Sequence, residues 1–184
     1  MARCYSMDNL QRPDRGRSIV LIGFMGSGKS AVGAELSRRS GAPLIDTDTL
    51  LEEREQMTIS EIFAAKGQPY FRRAETDLLT ELAGREEMYI YSTGGGMPLR
   101  EDNHEPLRRI GTIVYLTADT DTFVKRLSGD KTRPLLQTDK PLRERIEELL
   151  TEREPIYRDL ADLLVKNPFD RPVGEIAEEI LAKV

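Results

Sequence analysis

The stretch GFMGSGKS, residues 23–30, is the most informative part of this sequence. The apolar run Ile19-Val20-Leu21-Ile22 precedes it and predicts a buried strand over 18–24, and the residues that follow predict a helix over Lys29–Ser40. A Gly-x-x-x-x-Gly-Lys-Ser pattern between a strand and a helix is typical of a phosphate-binding P-loop. Its glycines let the backbone curl so that N–H groups point at phosphate oxygens, and the start of the helix adds the positive end of its dipole.

Two side chains of the loop have chemistry suited to a nucleotide. Lys29 supplies a full positive charge for the β- and γ-phosphates, and the Ser30 hydroxyl is small enough to ligate Mg²⁺. A glycine-rich turn without a ligand is the alternative, but it gives lysine and serine no reason to follow the glycines in this order. The nucleotide-binding residues predicted here are Gly26, Ser27, Gly28, Lys29, Ser30 and Ala31.

Turn signals divide the remaining chain into alternating strand-like and helix-like segments. Parallel strands need crossover connections that are usually helical, so this alternation predicts an α/β domain whose parallel sheet is covered on both faces. Ligands of such sheets bind beyond the carboxyl ends of the strands. The predicted strands are 18–24, 43–45, 88–93, 112–117 and 163–165, and the predicted helices are 29–40, 49–56, 58–66, 69–83, 119–127, a helix from Pro141 toward Pro155, and 173–183.

Composition limits the class of protein. Residues 18–184 fit one domain, and residues 1–17 are expected to be a flexible extension, because they lack the apolar segment of a secretory signal. The formal net charge of −5 argues against general affinity for nucleic acid or an anionic membrane, and no apolar run approaches the roughly 18 residues of a membrane helix. Cys4 is the only cysteine, so an intrachain disulfide is impossible and a reducing cytoplasm is expected.

A nucleotide site leaves a switch, a motor and a small-molecule kinase as alternatives. The guanine-reading pattern Asn-Lys-x-Asp is missing from the sequence, which disfavours a GTPase switch, and motor ATPases usually need larger domains. The polar segment 129–140 carries Arg133 and predicts a mobile lid that closes over the phosphates to exclude water. These features favour a kinase, although a solvated loop remains the alternative for the lid.

Two aspartates follow the second predicted strand. Asp46 and Asp48 are two residues apart, so in extended geometry their side chains share one face. One carboxylate can hold a water of the Mg²⁺ shell, and the other can accept a hydrogen bond from an acceptor hydroxyl or take its proton. For Asp48 alone, the alternative is a helix N-cap in an exposed turn.

Further along the chain, arginines and glycines offer contacts to an acceptor. Arg72 and Arg73 are adjacent on a predicted helix, so one can reach a pocket while the other stays solvated, although a wet surface is the alternative for both. The triplet GGG at 94–96 costs more backbone entropy than a simple turn requires, which indicates close approach to a ligand. Tyr157 and His104 are expected on a helix face and in an exposed loop, without chemistry.

Six motifs in this order make the chain resemble the shikimate kinase family from about residue 18 to 184. They are GFMGSGKS, the DTD of 46–48, IFAAKGQPYFRRAE of 62–75, STGGG of 92–96, RPLL of 133–136 and REPIYRDLA of 153–161. FRRAE together with GGG is much more specific than the P-loop. The resemblance implies a three-layer α/β/α fold with a five-stranded parallel sheet of the nucleoside monophosphate kinase type and a lid at about 129–140. It also implies phosphate transfer from ATP to the 3-hydroxyl of shikimate, in aromatic amino-acid biosynthesis.

The resemblance also implies a role for each matching residue. The loop serves ATP as co-substrate, and Ser30 with Asp46 in an outer shell serves one Mg²⁺. Asp48 holds the shikimate hydroxyls and can serve as base, and Arg133 stabilises charge on the transferring phosphoryl group. Lys29, Asp48 and Arg133 are thus the implied catalytic set. The implied acceptor site consists of Asp48, Arg72 and Arg153 on the carboxylate, Glu75 orienting Arg72, the N–H groups of Gly94, Gly95 and Gly96, and walls from Phe63 and Phe71. Arg126, Arg171 and Pro172 are placed against adenine.

Three other functions remain open at this point. A regulatory P-loop protein would bind ATP without turning it over, but it would not need paired aspartates and arginines around an acceptor pocket. Gluconate kinase and adenylate kinase share the loop but are not expected to show FRRAE with GGG at a strand end. The expected partners are shikimate and ATP, with no nucleic acid and no membrane, and the expected state is a monomer.

Overall fold

The structure, a computed structural model, describes residues 17–130 and 133–184. Residues 1–16 of the expected extension, with Cys4, therefore lie outside the described residues. So do Lys131 and Thr132 of the expected lid.

Five parallel strands form one sheet in the order β2-β3-β1-β4-β5. Ile19 of the first strand pairs with Ile90 on one side and with Thr112 on the other, so the first strand is central and its carboxyl end points the same way as its neighbours'. The predicted parallel sheet is confirmed, with strand ends shifted by at most two residues. The strands are β1 (Ser18–Ile22), β2 (Leu44–Asp46), β3 (Ile90–Ser92), β4 (Gly111–Thr117) and β5 (Leu163–Lys166).

Helices connect the strands. The α-helices are α1 (Lys29–Ser40), α2 (Thr47–Glu55), α3 (Ile59–Leu82), α4 (His104–Ile110), α5 (Thr120–Leu127), α6 (Leu142–Leu160) and α7 (Val173–Leu181). Short 3₁₀ helices cover Met97–Leu99, Glu101–Asn103 and Pro134–Leu136. Helix α4 was not predicted, because its seven residues are too short for a clear apolar repeat.

Local sequence signals fix several helix ends. Gly41 ends α1 in the left-handed region, with φ of 77°, and Thr58 with Glu61 forms the predicted capping box at the start of α3. Gly67 has φ of 79° and interrupts α3 where the sequence predicted a stop. The expected end of α6 near Pro155 is wrong, because buried residues recur at helical spacing on both sides of the proline, including Arg153 and Tyr157.

The sheet separates two apolar layers. Ile19 and Leu21 of β1 pack in one cluster with α1 and α7, whereas the alternate residues Val20 and Ile22 pack in the other cluster with α3, α5 and α6. This confirms the three-layer α/β/α arrangement. None of the helices within 17–130 and 133–184 has the length and apolar character needed to cross a membrane. The carboxyl ends of β1, β2 and β3 meet at one edge, where the predicted site residues lie.

Candidate active site

The P-loop is wrapped around its own lysine. Gly26 and Gly28 adopt φ of 75° and 91°, which turn the chain between β1 and α1. The Nζ of Lys29 donates hydrogen bonds to the carbonyls of Gly23 and Phe24 at 2.9 and 3.0 Å. Burial lowers the pKa of Lys29 to about 8, and the nearby Asp48 carboxylate opposes this shift. The amine is thus held beside the loop, where phosphates would bind.

Two side chains tie the P-loop to the end of β5. The guanidinium of Arg126 donates to the Gly26 carbonyl at 3.1 Å and to the Asn167 Oδ1 at 3.1 Å. The amide of buried Asn167 in turn donates to the Ser27 carbonyl at 2.8 Å. Arg126 therefore supports the loop, while its expected contact with adenine stays a prediction. Sequence reasoning missed Asn167, because an asparagine after a strand carries no signal of its distant partner.

The two aspartates have different places. The Oδ1 of Asp46 caps α2 by accepting from the backbone N–H groups of Asp48 and Thr49, and its Oδ2 accepts from the Ser30 hydroxyl at 3.3 Å. Asp48 is not the N-cap. It lies in the first turn of α2, so the expectation that the pair shares one face of an extended segment is wrong, because β2 ends at Asp46. Burial, followed by the charge of Asp46, raises the pKa of Asp48.

One open cavity brings the P-loop, both aspartates and the lid arginine together. The Nε of Arg133 donates to the Asp130 carboxylate at 2.8 Å, and its charge also lowers the pKa of Lys29. The predicted residues that line the cavity are Gly26, Gly28, Lys29, Ser30, Ala31, Asp46, Asp48, Gly95 and Arg133. Ser27 of the loop is buried.

The glycine triplet lies between two functional side chains. A Cβ on Gly94 would stand 2.5 Å from the Oδ1 of Asp48, and a Cβ on Gly96 would stand 2.8 Å from both terminal nitrogens of Arg72. A side chain at position 94 or 96 would therefore displace Asp48 or Arg72 from its observed place. The Gly94 N–H is donated to the Thr47 hydroxyl at 3.1 Å, a contact that sequence reasoning missed. Within the described parts of the chain, the N–H groups of Gly95 and Gly96 have no hydrogen-bond partner.

Arg72 is held by a buried carboxylate on its own helix. Its Nη1 donates to the Oε2 of Glu75 at 2.6 Å, three residues later on α3. Burial raises the pKa of Glu75, which is only 1% exposed, to about 7, and the Arg72 charge opposes this shift. Phe71 is buried on the same helix and its ring centroid lies 4.8 Å from that of Phe63. Arg73 is exposed, as expected for one of the two adjacent arginines.

Arg153 is a buried cation without a carboxylate partner. It lies on α6 with 8% of its surface exposed, its guanidinium is 6.0 Å from the Phe24 ring, and it forms no ion pair within the described ranges. Its Nε is buried without a hydrogen-bond partner in that same part of the chain. A buried guanidinium without a counter-ion is costly, so the lack of one among the described residues suits an anionic ligand.

Neither the predicted adenine residues nor His104 line the cavity, and Arg72, Glu75 and Arg153 do not line it either. The Arg171 guanidinium donates a hydrogen bond to the Lys166 carbonyl at 3.0 Å and forms an ion pair with Glu179 at 2.7 Å, so it is held along α7. Pro172 is the N-cap residue of that helix. Their contact with adenine stays a prediction. The expectation of an exposed loop at His104 is wrong. His104 begins α4, is half-buried and has its Nε2 2.8 Å from the Pro98 carbonyl.

Comparisons with known proteins agree on one family. A family model described as shikimate kinase matches residues 25–184. A curated shikimate kinase from Methylococcus capsulatus is 43% identical over 149 residues, which are 81% of this chain and 82% of that protein.

Solved structures extend the likeness to three dimensions. The shikimate kinase from Acinetobacter baumannii in complex with shikimate aligns with a TM-score of 0.82 and 34% identity over 90% of this chain and 91% of the other. A deoxyadenosine kinase from M. mycoides aligns with a TM-score of 0.58 and 20% identity over 90% of this chain and 97% of the other, which shows a shared fold alone.

Proposed function

The chain belongs to the shikimate kinase family, and we propose that Asp48, Arg72 and Arg153 hold the acceptor while the P-loop and Arg133 hold ATP. The protein is an ATP-dependent kinase that transfers the γ-phosphate to the 3-hydroxyl of shikimate, giving shikimate 3-phosphate and ADP. The observation that carries the assignment of residues is the placement of Asp48 and Arg72 against Gly94 and Gly96.

Asp48 is proposed to act on the attacking hydroxyl. The 3-hydroxyl donates a hydrogen bond to the carboxylate, and its proton passes to Asp48 as the oxygen bonds to the γ-phosphorus and the bond to ADP breaks. A raised pKa makes Asp48 a stronger base than an ordinary aspartate. The Lys29 charge opposes this rise in the Asp48 pKa, and its nearness places the proposed base beside the proposed phosphate ligand.

Arg72 and Arg153 are proposed to bind the carboxylate of shikimate. Guanidinium groups match a carboxylate in two-point geometry, and the lack of an ion pair for Arg153 in the described residues is consistent with a ligand carboxylate as its partner. Glu75 is proposed to orient Arg72, because it accepts a hydrogen bond from the Nη1. Phe63 and Phe71 are proposed to wall this side of the site.

The phosphates are proposed to bind along the start of α1. The backbone N–H groups of the loop and the helix dipole favour phosphate oxygens, and Lys29 would exchange its carbonyl contacts for the β- and γ-phosphates. We propose that the segment 129–140 closes over them and brings Arg133 to the transferring group. Closure would exclude water and so favour transfer over hydrolysis of ATP.

The loop and Asp46 fit one Mg²⁺ per active site. The Ser30 hydroxyl and the Asp46 carboxylate lie 3.3 Å apart at the cavity, which provides oxygen donors of the kind that Mg²⁺ prefers. Ser30 would hold the ion directly and Asp46 through water. When bound, the ion would neutralise charge on the β- and γ-phosphates.

We also propose that the protein is a cytoplasmic monomer whose partners are its two substrates, without nucleic acid or membrane. The net charge of −5 and the single cysteine support this setting. Light scattering after gel filtration would test the monomer, and a dimer mass would contradict it.

Direct detection of product tests the function. When shikimate is added to the purified protein with Mg²⁺ and ATP, shikimate 3-phosphate should form, and ³¹P NMR detects it. Without an acceptor, the protein should release little ADP. Gluconate and AMP are tested as alternative acceptors, because they are the acceptors of gluconate kinase and adenylate kinase. Turnover of either in preference to shikimate, or binding of ATP without any transfer, would overturn the proposal.

A further inference from the structure

Tyr157 connects α6 to the glycine triplet. Its side chain is fully buried, and its hydroxyl donates a hydrogen bond to the Gly95 carbonyl at 2.5 Å, across 62 positions of sequence. The ring also packs against Tyr115, with centroids 5.3 Å apart. Burial raises the pKa of Tyr157 to about 12, so the hydroxyl stays protonated and remains a donor at neutral pH.

The hydrogen bond fixes the orientation of a peptide group in the site. The Gly95 carbonyl and the Gly96 N–H belong to the same peptide, which is trans, so the two point in opposite directions. Glycines on both sides of a peptide leave it unusually free to rotate. A carbonyl held toward α6 therefore sets the Gly96 N–H on the side away from α6. In the described part of the chain this N–H has no partner.

The connected groups are those that the proposed acceptor site uses. Tyr157 lies one helical turn after Arg153, so both side chains share a face of α6. Gly95 lies between Gly94, which Asp48 approaches, and Gly96, which Arg72 approaches. The Tyr157–Gly95 hydrogen bond thus links α6, which carries Arg153, to the glycine triplet, against which Asp48 and Arg72 lie.

We propose that Tyr157 is a positioning residue, which through its hydrogen bond to Gly95 holds the Gly96 N–H ready to donate to an oxygen of the acceptor. Tyr157 does not touch the acceptor itself. The inference rests on the proposed function, since it concerns the acceptor half of that site. It predicts an effect on shikimate that is separate from any effect on ATP.

The pair Tyr157→Phe and Tyr115→Phe provides a matched test. Both remove one hydroxyl from a fully buried ring, but the Tyr115 hydroxyl has no hydrogen-bond partner within 17–130 and 133–184. Tyr157→Phe removes the bond to Gly95 and the contact of the hydroxyl with Arg153, so it should raise the KM for shikimate roughly 5-fold or more and leave the KM for ATP within about 2-fold. Tyr115→Phe should leave both KM values within about 2-fold. Assays are run well below the melting temperatures of both variants.

A spectroscopic measurement separates positioning from packing. The ¹⁵N–¹H resonance of Gly96 should shift or broaden in Tyr157→Phe and stay unchanged in Tyr115→Phe. If Tyr157→Phe raises both KM values alike, or matches Tyr115→Phe in KM and in the Gly96 resonance, Tyr157 only fills the core and the inference fails. Failure of the proposed function is visible separately, because the unmodified protein would then not phosphorylate shikimate.

Discussion

The carboxylate of Asp48 lies directly against Gly94, so that a Cβ at position 94 would stand 2.5 Å from the Oδ1. Real Cβ atoms essentially never approach another heavy atom this closely. Two positions later, the terminal nitrogens of Arg72 would stand 2.8 Å from a Cβ on Gly96. The glycine triplet therefore allows both Asp48, the proposed base, and Arg72, which is proposed to bind the shikimate carboxylate, to lie against the same stretch of backbone.

Gly94→Ala should displace Asp48 and lower kcat at least about 10-fold, because a 1 Å shift of a reacting group can cost more than that. The backbone at Gly94 does not have positive φ, so the effect would arise from the side-chain clash and not from strain. Steady-state kinetics with both substrates measure it. The control is Gly84→Ala, at an exposed position where the nearest atom to a new Cβ is a backbone oxygen at 3.4 Å. Wild-type kcat in Gly94→Ala would show that Asp48 does not need this position.

The sequence predicted the sheet and the P-loop because both depend on local signals. Glycine, lysine and serine between a strand and a helix identify the P-loop, the cap signals at Thr58 and Gly41 gave correct helix ends, and Gly67 marks the interruption of α3. Asn167 and Tyr157 could not be assigned, since their partners are 140 and 62 positions away in sequence and neither residue type indicates a distant contact. The alternative of an N-cap at Asp48 is also wrong, because both Asp46 and Asp48 suit a cap and only the end of β2 decides between them.

The lowered pKa of Lys29 predicts that the affinity for ATP falls at alkaline pH. Its pKa is lowered to about 8 by burial, and only the protonated amine attracts phosphate, so the affinity of the free protein for ATP should decline as the pH rises through about 8. Calorimetric titration with ATP from pH 6 to 10 measures it. Lys29→Met should lack this decline and should lose on the order of 10³-fold in rate with Mg²⁺ and shikimate present. A pH dependence shared by both proteins would assign it to another group.

The raised pKa of Glu75 predicts that kcat/KM for shikimate increases with pH, whereas the affinity for ATP decreases. Its pKa is raised to about 7 by burial, so the carboxylate that orients Arg72 forms as the pH rises through about 7, and kcat/KM for shikimate should rise over the same range. The folded protein also binds a proton that the unfolded chain releases between about pH 4.5 and 7. The contribution of Glu75 to the free energy of unfolding should therefore fall as the pH rises from about 4.5 to 7. Glu75→Gln should flatten both dependences, whereas persistence of the acceptor profile in Glu75→Gln would exclude this carboxylate as its source.

Arg153→Ala should weaken shikimate binding much more than ATP binding. Loss of a charged hydrogen-bonded contact corresponds to about 1.5–3 kcal/mol, which is roughly 10- to 150-fold in KM. Arg72→Ala should behave in the same way, although it also frees Glu75 from its partner at 2.6 Å. KM values for both substrates and the melting temperature measure the effect. The matched control is Arg158→Ala, on the same helix at an exposed position. Equal rises in the two KM values would indicate loss of the fold and not of a carboxylate contact.

Arg133 is expected to act mainly in the transition state. Its guanidinium borders the cavity with Lys29 and Asp48 but is exposed enough to move, with 42% of its side-chain surface accessible. Arg133→Lys keeps the charge and loses the planar fork, so kcat should fall clearly while the stability stays within about 0.5 kcal/mol. Arg143→Lys, at an exposed ion pair between α6 and Asp121 of α5, is the control.

Shikimate binding without nucleotide should change much less than kcat in Arg133→Lys, because the lid is proposed to close only over both substrates. Hydrogen exchange across 129–140 should slow when ATP and shikimate are both present. Closure also excludes water, so Arg133→Ala should raise the share of ATP that is hydrolysed relative to the share that is transferred. If Arg133→Lys and Arg133→Ala both retain wild-type kcat, the segment only connects α5 to α6, and another cation must stabilise the transferring phosphoryl group.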